Sequence, residues 1–486
     1  MDYFFWFLMF LMGFVSCQKN PNFSENRSTI VHLFEWKWRD IAQECENFLG
    51  KHGYGGVQIS PPNENLIVSN RPWYERYQPV SYVLTTRSGN ENDFQDMTTR
   101  CNKAGVRIYV DAVINHMAAG NGKGTAGNIG EASKSNFPAV PYSADNFHRA
   151  CSINNYDDPN EVRNCELVGL KDLDQKQEYV REKIVDFMNH LIDLGVAGFR
   201  IDAAKHMNPE DLRIIFGRLK NLSTEYGFSD GARPFIYQEI VPGGATDRNE
   251  YTSFGTVLEF KYGTHLSRVF KKGDKLKYLA NWGPEWGLLN GYDAVTFIDN
   301  HDTQRYEKDI LTYKNSKPYK MAVAFMLAHP YGTGRIMSSY DFFDRETAPP
   351  HDSASNLISA GFRSDNTCTN GFICEHRWRQ IYNMVKFRNV VTGTGVDNWQ
   401  TLGDQQVAFC RGNKGAIIFN NEGRIDREIN VCLPEGEYCD IISGDLMNGQ
   451  CIGKTIKVHQ NGRAHVVLND NESDGVIAIH VKAKKN

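Results

Sequence analysis

Three acidic residues stand near the ends of separate β-rich segments: Asp202 in GFRIDAAKHM, Glu239 in YQEI and Asp302 in FIDNHD. Cleavage of a glycosidic bond needs one carboxylate to attack or support the oxocarbenium carbon, and one carboxylic acid to protonate the leaving oxygen. These residue types therefore suit glycoside hydrolysis if the fold brings them together. For any one of them alone, a structural ion pair with a basic neighbour is an equally good interpretation.

The segment around Asp202 also predicts a charged pair. In an extended strand, Phe199, Ile201 and Ala203 face one side, whereas Arg200 and Asp202 face the other. Because the cation and the carboxylate share one surface, we expect Arg200 to keep Asp202 ionised, as a nucleophile requires.

These acids can act together only in a fold that brings the ends of their strands to one place. The chain alternates short β-rich runs with amphipathic stretches, which is typical of parallel α/β proteins. The clearest amphipathic stretch, 180–194, repeats apolar residues at helical spacing and is followed by Gly195, a residue type that often ends helices. Strands are predicted at 29–36, 56–60, 106–114, 196–203, 234–240, 256–260, 294–300 and 335–339.

Eight such units fit a closed (β/α)8 TIM barrel, of the α/β class, better than an open doubly wound sheet. The carboxyl ends of all eight strands meet at one face of a barrel. We therefore expect four acidic residues to converge there: Asp111, Asp202, Glu239 and Asp302.

Two regions depart from this alternation. The first is rich in Gly, Ser, Asn and Pro and too long for an ordinary loop, which predicts a domain inserted after strand three. In the second region, 396–486, short β runs are separated by turn signals, which predicts an antiparallel β-sandwich. The predicted domains are a signal peptide at 1–17, the barrel at 18–114 and 174–395, the insert at 115–173 and the all-β domain at 396–486.

Residues 122–127 match the pattern G-x-G-x-x-G of dinucleotide-binding loops. No helical pattern follows, and Pro138 and Pro141 interrupt the next segment. We interpret the glycine-rich segment as a flexible loop.

The composition and charge of the chain indicate a globular protein and argue against two classes of partner. Apolar and charged residues make up 41% and 23% of the chain, near globular averages, and the net charge is −4 with Lys and Arg scattered along the sequence. We therefore expect neither a nucleic-acid nor a membrane partner.

Residues 3–15 form an apolar run that ends before Ser16, Cys17 and Gln18, which predicts signal cleavage near Gln18 and secretion. A membrane anchor and a lipid-modified Cys17 are the alternatives. The ten later cysteines form an even set, typical of disulfides in exported proteins. Sequons for N-glycosylation begin at Asn22, Asn26, Asn221 and Asn471.

Four segments in order, at 107–117, 198–207, 237–240 and 297–302, resemble the strand-end motifs of the alpha-amylase family. HLFEWKW, RPWYERYQP and EHRWRQIYNMVKFRN narrow the resemblance to animal-type, chloride-dependent alpha-amylases. The resemblance runs from about Gln18 to the carboxyl terminus. It implies a secreted, monomeric, endo-acting enzyme that hydrolyses internal α-1,4 bonds of starch and glycogen with retention at the anomeric carbon.

The resemblance also implies roles for individual residues. Asp202 corresponds to the nucleophile, Glu239 to the acid/base, and Asp302 to the acid that orients sugar hydroxyls. The aromatic platform for glucose rings corresponds to Trp73, Tyr74 and Tyr77, for which a place in the buried core is the alternative. Further substrate contacts correspond to Gln78, Asp111, His116, Tyr156, Arg200, Lys205, His206 and His301, for which support of the fold is the alternative.

Two ions are implied in the same way. A structural calcium ion would take side-chain oxygens from Asn115 and Asp172 and main-chain carbonyls from Arg163 and His206. An activating chloride would lie between Arg200, Asn300 and Arg335, and its charge would keep Glu239 able to donate a proton. Pairing of Arg335 with an acid is the alternative.

Disulfides follow from the resemblance as Cys45–Cys101, Cys151–Cys165, Cys368–Cys374 and Cys439–Cys451. This leaves Cys410 and Cys432 without an assigned partner. Both lie in the all-β domain, and we predict that they pair with each other.

The chain departs from the family pattern at three places. The Gly/His-rich loop after Asp302 is shortened to 306–309, Thr303 replaces an asparagine, and Tyr74 replaces a common tryptophan. These changes put the product pattern in doubt without removing a reacting group. An alpha-glucosidase-like hydrolase and a catalytically silent glucan-binding protein are the rival functions.

Overall fold

A closed barrel of parallel strands forms the largest part of the protein. The computed structural model describes residues 18–485, so the predicted signal peptide lies outside the described residues. The strands follow one another around the barrel in the order β1-β8-β7-β6-β5-β4-β3-β2. They are β1 (Ser28–Leu33), β2 (Tyr54–Ile59), β3 (Arg107–Ala112), β4 (Gly198–Ile201), β5 (Phe235–Gln238), β6 (Thr256–Glu259), β7 (Ala294–Thr296) and β8 (Thr333–Ser338). The predicted α/β barrel is confirmed.

Helices connect most of these strands. Glu178–Asp193 coincides with the clearest predicted helix and is followed by Gly195 at φ 90°. In Glu91–Lys103, the Asn90 side chain accepts from the backbone N–H of Asp93, whose carboxylate accepts from the N–H of Asn90, so both ends of a capping box are satisfied. The other helices are Trp38–Glu44 with its continuation Cys45–Leu49 and Gly50–His52, Pro159–Asn164, Pro209–Gly217, Phe260–Phe270, Thr303–Tyr306, Ser316–Ala328 and Arg379–Val390.

The segment between β3 and the helix Glu178–Asp193 leaves the barrel and returns to it at almost the same point. The carbonyl oxygen of Asn115 accepts hydrogen bonds from the backbone N–H of Leu173 and the Nε2 of Gln175, each at 3.1 Å. The short strands His116–Met117 and Lys171–Asp172 pair antiparallel beside this contact. The entry and exit of the insert are therefore fastened to each other.

The glycine-rich segment lies in a β-hairpin of this insert. Strands Asn121–Lys123 and Ile129–Glu131 pair antiparallel. The carboxylate of Glu64 accepts hydrogen bonds from the backbone N–H groups of Ala126 and Asn128 at 2.9 and 3.0 Å, which fixes the turn. The segment predicted as a loop therefore forms the end of one strand and the turn of the hairpin.

The carboxyl-terminal part contains two antiparallel sheets of four strands. One sheet has the order Asp397–Gly403, Gln406–Arg411, Gly415–Asn420 and Val476–His480, and the other Arg424–Asn430, Arg463–Asn469, Thr455–Val458 and Gly436–Cys439. Buried apolar residues such as Ile418, Ile429 and Val466 fill the space between the sheets. On the other face of the first sheet, Phe409 and Phe419 contact the ring of Phe325, so this part packs firmly on a barrel helix. The predicted all-β region is confirmed.

Five disulfides are present among residues 18–485, and all five were predicted: Cys45–Cys101, Cys151–Cys165, Cys368–Cys374, Cys410–Cys432 and Cys439–Cys451. Within the same part of the chain, none of the helices combines the length and apolar character needed to cross a membrane.

One glycine allows a helix to approach the strand extension that leads to Asp302. A Cβ atom at Gly263, in Phe260–Phe270, would lie 2.1 Å from the carbonyl oxygen of Ile298. We expect Gly263→Ala to lower the free energy of unfolding by about 1–3 kcal/mol, because the helix must move away from a packed backbone. Urea unfolding measures the change.

Gly217 supplies a matched control, because it also lies in a helix but a Cβ atom there would meet nothing within 4 Å. Gly217→Ala is expected to raise the free energy of unfolding by up to about 1 kcal/mol. Equal stability changes in the two variants would contradict the steric argument.

Candidate active site

The register of the barrel strands brings the predicted chemical groups to one level. Arg200 in β4 lies directly beside Asp111 in β3. The backbone N–H groups of Asp202 and Glu239 each donate to a carbonyl oxygen of the preceding strand at 3.0 Å. The parallel ladder thus continues one residue beyond each strand and sets the two acids side by side.

The buried guanidinium of Arg200 joins three carboxylates. Its Nη1 donates to Asp111 at 2.6 Å and to Asp202 at 2.7 Å, and its Nη2 donates to Glu239. The second oxygen of Glu239 accepts from the backbone N–H of Ala203 at 2.9 Å. The predicted pairing of Arg200 with Asp202 is present, and it includes two further acids.

Burial dominates the protonation of this cluster. It raises the pKa of Asp202 well above its ordinary value, and the charges of Glu239 and Asp111 add to the increase while Arg200 opposes it. Burial also raises the pKa of Asp111. Arg200 therefore favours the charged form of Asp202, as expected, but burial and the other two acids oppose it, because one cation faces three carboxylates.

Asp302 reaches the cluster from the loop after β7. The side-chain oxygen of Asn300 accepts from the N–H groups of Asp302 and Thr303 at 2.9 and 2.7 Å. The hydroxyl of Thr303 accepts in turn from the N–H of Asn300 at 2.9 Å, so the threonine that departs from the family pattern closes this turn. Burial, followed by the charge of Glu239, raises the pKa of Asp302 to about 7.

All three acids line one cavity of about 410 Å³ at the carboxyl end of the barrel. Six other predicted residues line it with them: Trp73, Tyr74, Tyr77, Gln78, His116 and His301. Asp111 and Arg200 are buried behind this wall. The structure thus brings together the candidate reacting groups and most of the predicted contacts.

The aromatic wall belongs to the core and to the cavity at once. The ring of Tyr77 stacks on His301 with centroids 5.3 Å apart, and its hydroxyl donates to Asp111 at 2.9 Å. Trp73 is 4% exposed and donates from Nε1 to the carbonyl oxygen of Arg345 at 2.7 Å. Trp73 is therefore part of the core and also lines the cavity, and its role as a platform for glucose rings stays a prediction.

Lys205, Tyr156 and His206 form a separate group outside that cavity. The Nζ of Lys205 donates to the carbonyl oxygen of Gly243 at 2.7 Å and lies 5.6 Å from the ring centre of Tyr156. The backbone N–H of Lys205 donates to the carbonyl oxygen of Glu239 at 3.2 Å. These residues therefore lie next to the acids, on the side of the insert.

The predicted calcium ligands present oxygen atoms suited to a hard cation. The Oδ1 of Asn115 is buried without a hydrogen-bond partner, and Asp172 belongs to the strand paired with the one that follows it. Burial raises the pKa of Asp172 to about 6, although the imidazole of His148, 2.7 Å from its carboxylate, opposes this. His206 bonds through Nδ1 to the carbonyl oxygen of Val162, next to Arg163, at 2.9 Å. The unpartnered Oδ1 of Asn115 and the carboxylate of Asp172 are oxygen donors of the kind that calcium prefers, and the carbonyl ligands of Arg163 and His206 stay a prediction.

The candidate calcium site depends on amide and carbonyl oxygens. Within residues 18–485, no group of three or more His, Cys, Asp or Glu side chains is arranged to hold a metal ion. A site built from ionisable side chains alone, as for zinc, therefore has no counterpart in the described part of the chain.

Two buried arginines provide donors for an anion. Arg335, in β8, donates from Nη1 to the side-chain oxygen of Gln58 at 2.7 Å, and its Nη2 has no hydrogen-bond partner. The Nε of Arg200 is also buried without a partner. Burial, with the charge of Arg200 contributing, lowers the pKa of Arg335. The hydrogen-bonding partner of Arg335 is an amide and not an acid, so these donors fit chloride.

Comparison with known proteins places the chain in a family. Residues 47–226 match the model of the alpha-amylase catalytic domain, and 397–482 match that of the alpha-amylase carboxyl-terminal all-β domain. An alpha-amylase of Tenebrio molitor is 62% identical over 470 residues, which cover 96% of this chain and 100% of that protein. The chain belongs to the alpha-amylase family. The predicted family and the class of enzyme, an alpha-amylase-type glycoside hydrolase, are confirmed.

Other relatives agree. An alpha-amylase of Tribolium castaneum is 60% identical over 469 residues, covering 96% of both chains. An alpha-amylase-related protein of Drosophila pseudoobscura pseudoobscura is 53% identical over 478 residues, covering 97% of both. The solved structure of alpha-amylase I from Eisenia fetida is 44% identical, with a TM-score of 0.91 over 94% of this chain and 98% of that one.

Several residues that line the cavity of this family member escaped prediction. Leu167, Val168 and Leu170 reach it from the insert, and Val168 is 84% exposed. Tyr306 reaches it from the shortened loop after Asp302. The shortened loop could have indicated that Tyr306 lies near the cavity. The irregular insert has no periodicity that would reveal which of its side chains face the barrel.

Proposed function

We propose that this protein is a secreted, monomeric, endo-acting alpha-amylase that hydrolyses internal α-1,4-glucosidic bonds of starch and glycogen. The observation that carries the proposal is the meeting of Asp202, Glu239 and Asp302 in one cavity, with the first two on neighbouring nitrogens of Arg200. Retaining glycosidases hold their two reacting carboxyls only about 5–5.5 Å apart, and a shared guanidinium favours a short separation. A maltohexaose complex of a glutamate-to-glutamine variant of Eisenia fetida alpha-amylase I supports an α-glucan substrate.

The reaction is a double displacement in this proposal. Asp202 attacks the anomeric carbon while Glu239 protonates the departing glycosidic oxygen, which leaves a glucosyl ester on Asp202. Glu239 then removes a proton from water, the water oxygen attacks the same carbon, and Asp202 is released with retention. Asp302 orients sugar hydroxyls on the same ring.

The protonation of the cluster supports these roles. The reaction starts with one ionised and one protonated carboxyl group. Burial raises the pKa values of Asp111, Asp202 and Asp302, which favours a proton within the cluster, while hydrogen bonds from Arg200 favour the charged form of Asp202. The elevated pKa values therefore agree with a site that needs both forms at once.

Disulfides support the proposed secretion. Such bonds form and persist in oxidising compartments, and each of the ten cysteines among residues 18–485 is paired.

The direct test is an assay of soluble-starch hydrolysis that measures the reducing ends released. We expect wild-type activity with calcium and chloride present, and a loss of about 10⁴-fold in Asp202→Asn, because the nucleophile is removed. The exposed Asp365→Asn is the matched control and should retain activity. No wild-type activity would favour the silent glucan-binding alternative.

The products separate the remaining alternatives. Long amylose should be cleaved to mixed oligosaccharides that first appear as α-anomers, whereas maltose should be a poor substrate. Efficient cleavage of maltose would favour the alpha-glucosidase alternative, and β-anomers would rule out retention.

For calcium, we propose that Asn115, Asp172 and the carbonyls of Arg163 and His206 hold one ion that joins the insert to the barrel. The ion would supply structural cross-linking. A chelator is expected to lower the thermal midpoint by several degrees, since loss of a ligand specific for the native state destabilises it. This response should shrink in Asp172→Asn and persist in the exposed Asp145→Asn. A chelator without effect on the wild type would refute the site.

For chloride, we propose binding between Arg200, Asn300 and Arg335, where the anion would supply negative charge close to Glu239 and favour its protonated form. Activity should rise with added chloride in the wild type. Arg335→Gln should abolish the response because a cationic donor is lost, while Arg335→Lys should retain part of it. An unchanged chloride titration in Arg335→Gln would remove this assignment.

A further inference from the structure

Arg305 is a buried cation close to Asp302 that the proposed mechanism does not use. It lies in the short helix Thr303–Tyr306, which begins directly after Asp302. Four aromatic rings surround its guanidinium, with ring centres 4.3 to 5.4 Å from Cζ, and they belong to Phe34, Trp73, Tyr340 and Phe342. Such contacts stabilise a cation that has lost its water.

The four rings come from three different loops. Phe34 follows β1, Trp73 lies after β2, and Tyr340 and Phe342 follow β8. Arg305 itself lies in the loop after β7, and β7, β8, β1 and β2 are consecutive in the barrel. The guanidinium therefore joins the loop that carries Asp302 to the loops of three neighbouring strands.

Arg305 also holds the main chain on both sides of the Asp302 peptide. Its Nη1 donates to the carbonyl oxygen of His301 at 2.6 Å, and its backbone N–H donates to the carbonyl oxygen of Asp302 at 2.8 Å. The imidazole of His301 packs on two of the same rings, with centres 5.1 Å from Phe34 and 5.4 Å from Trp73. The position of the acid thus depends on a packed group that contains the guanidinium.

The aromatic rings do not neutralise the charge of Arg305, because they carry no net charge. Its Nε and Nη2 are buried without a hydrogen-bond partner. A charge inside a protein acts over several ångströms because the surroundings screen it less than water does. Burial, followed by the charge of Glu239, raises the pKa of Asp302, whereas the charges of Arg200 and Arg305 oppose the rise.

Other charged and titratable groups face Asp302 from each neighbouring element. They are Asp111, Asp202, Glu239, Arg200, His301, Tyr77 and Tyr306. Arg200 is shared among three acids, whereas Nη1 of Arg305 donates to a main-chain carbonyl. The charge of Arg305 therefore remains to balance the charge of Asp302.

We propose that Arg305 is a positioning residue for the hydrolytic reaction: it fixes Asp302 at the cavity through the main chain of His301 and places a positive charge near that carboxyl. The inference rests on the proposed function, in which the charged form of Asp302 accepts hydrogen bonds from sugar hydroxyls. Arg305 is buried and acts through Asp302.

The test compares pH profiles of kcat/KM for maltoheptaose in the wild type and in Arg305→Met, which removes the charge and the donor but keeps an apolar chain. We expect a loss of about ten- to a hundredfold near neutral pH, mainly in kcat, because Asp302 is displaced from its place at the transition state. The acidic limb should also move to higher pH by about half to one unit, because the pKa of Asp302 rises further without the cation.

Two further variants separate the charge from the donor. Arg305→Gln keeps a donor for the carbonyl of His301 but not the charge, so it should show the same shift of the acidic limb with a smaller loss of kcat. Arg305→Lys keeps the charge, so its acidic limb should stay at the wild-type position. If Arg305→Met does not fold, Arg305→Gln carries the same pH test.

Arg107 supplies a matched control, because it is also a buried arginine on an aromatic ring. Its Cζ lies 4.1 Å from the ring centre of Phe228, and its guanidinium donates to the carbonyl oxygens of Tyr226 and Gly227. It begins β3, at the end of that strand opposite to Asp111. Arg107→Met should lower the thermal midpoint but leave the pH profile of the folded enzyme unchanged.

The outcomes decide between positioning and general stability. An acidic limb that stays at the wild-type position in Arg305→Met or Arg305→Gln, or that moves equally in Arg107→Met or Arg305→Lys, overturns the role of Arg305. If the wild type hydrolyses no glucan at all, the proposed function fails instead.

Discussion

The guanidinium of Arg200 is the group on which the candidate site depends. It lies inside the barrel, where desolvation is costly, and its two Nη atoms donate to three carboxylates at the ends of β3, β4 and β5. The arrangement requires the register that sets β4 against β3 and β5, since a slip of one residue would turn Arg200 away from Asp111. The geometry of the acids is therefore a property of the whole barrel, and the closed sheet is what makes a buried cluster of like charges tolerable.

Two layers surround this cluster. Behind it, Arg335 brings a second buried cation with an unpartnered N–H, which offsets part of the negative charge. In front of it, Tyr77, His301 and Trp73 pack on one another and close the apolar core at the floor of the cavity. Tyr77 thus lies between the cavity, which Asp202, Glu239 and Asp302 line, and the buried Asp111 behind it.

Much of this could be predicted from sequence because the relevant signals are local or belong to a strong motif. The strand runs and the helix before Gly195 have clear periodicity, and the four motifs place the acids at strand ends. The rise in the pKa of Asp202 could not be predicted, because it comes from burial and from the charges of Glu239 and Asp111, which are distant in sequence. The contribution of Val168 likewise depends on how an irregular segment folds over the barrel, and no pattern in the chain encodes that.

The tie between the two ends of the insert has a consequence for how such enzymes diversify. Because the carbonyl of Asn115 holds both Leu173 and Gln175, the inserted chain begins and ends at one point of the scaffold. Residues can be gained, lost or exchanged between those ends without pulling on the strands that carry the acids. One wall of the binding cavity is thus free to vary among related enzymes, so substrate preference can change while the bond-breaking machinery is inherited intact.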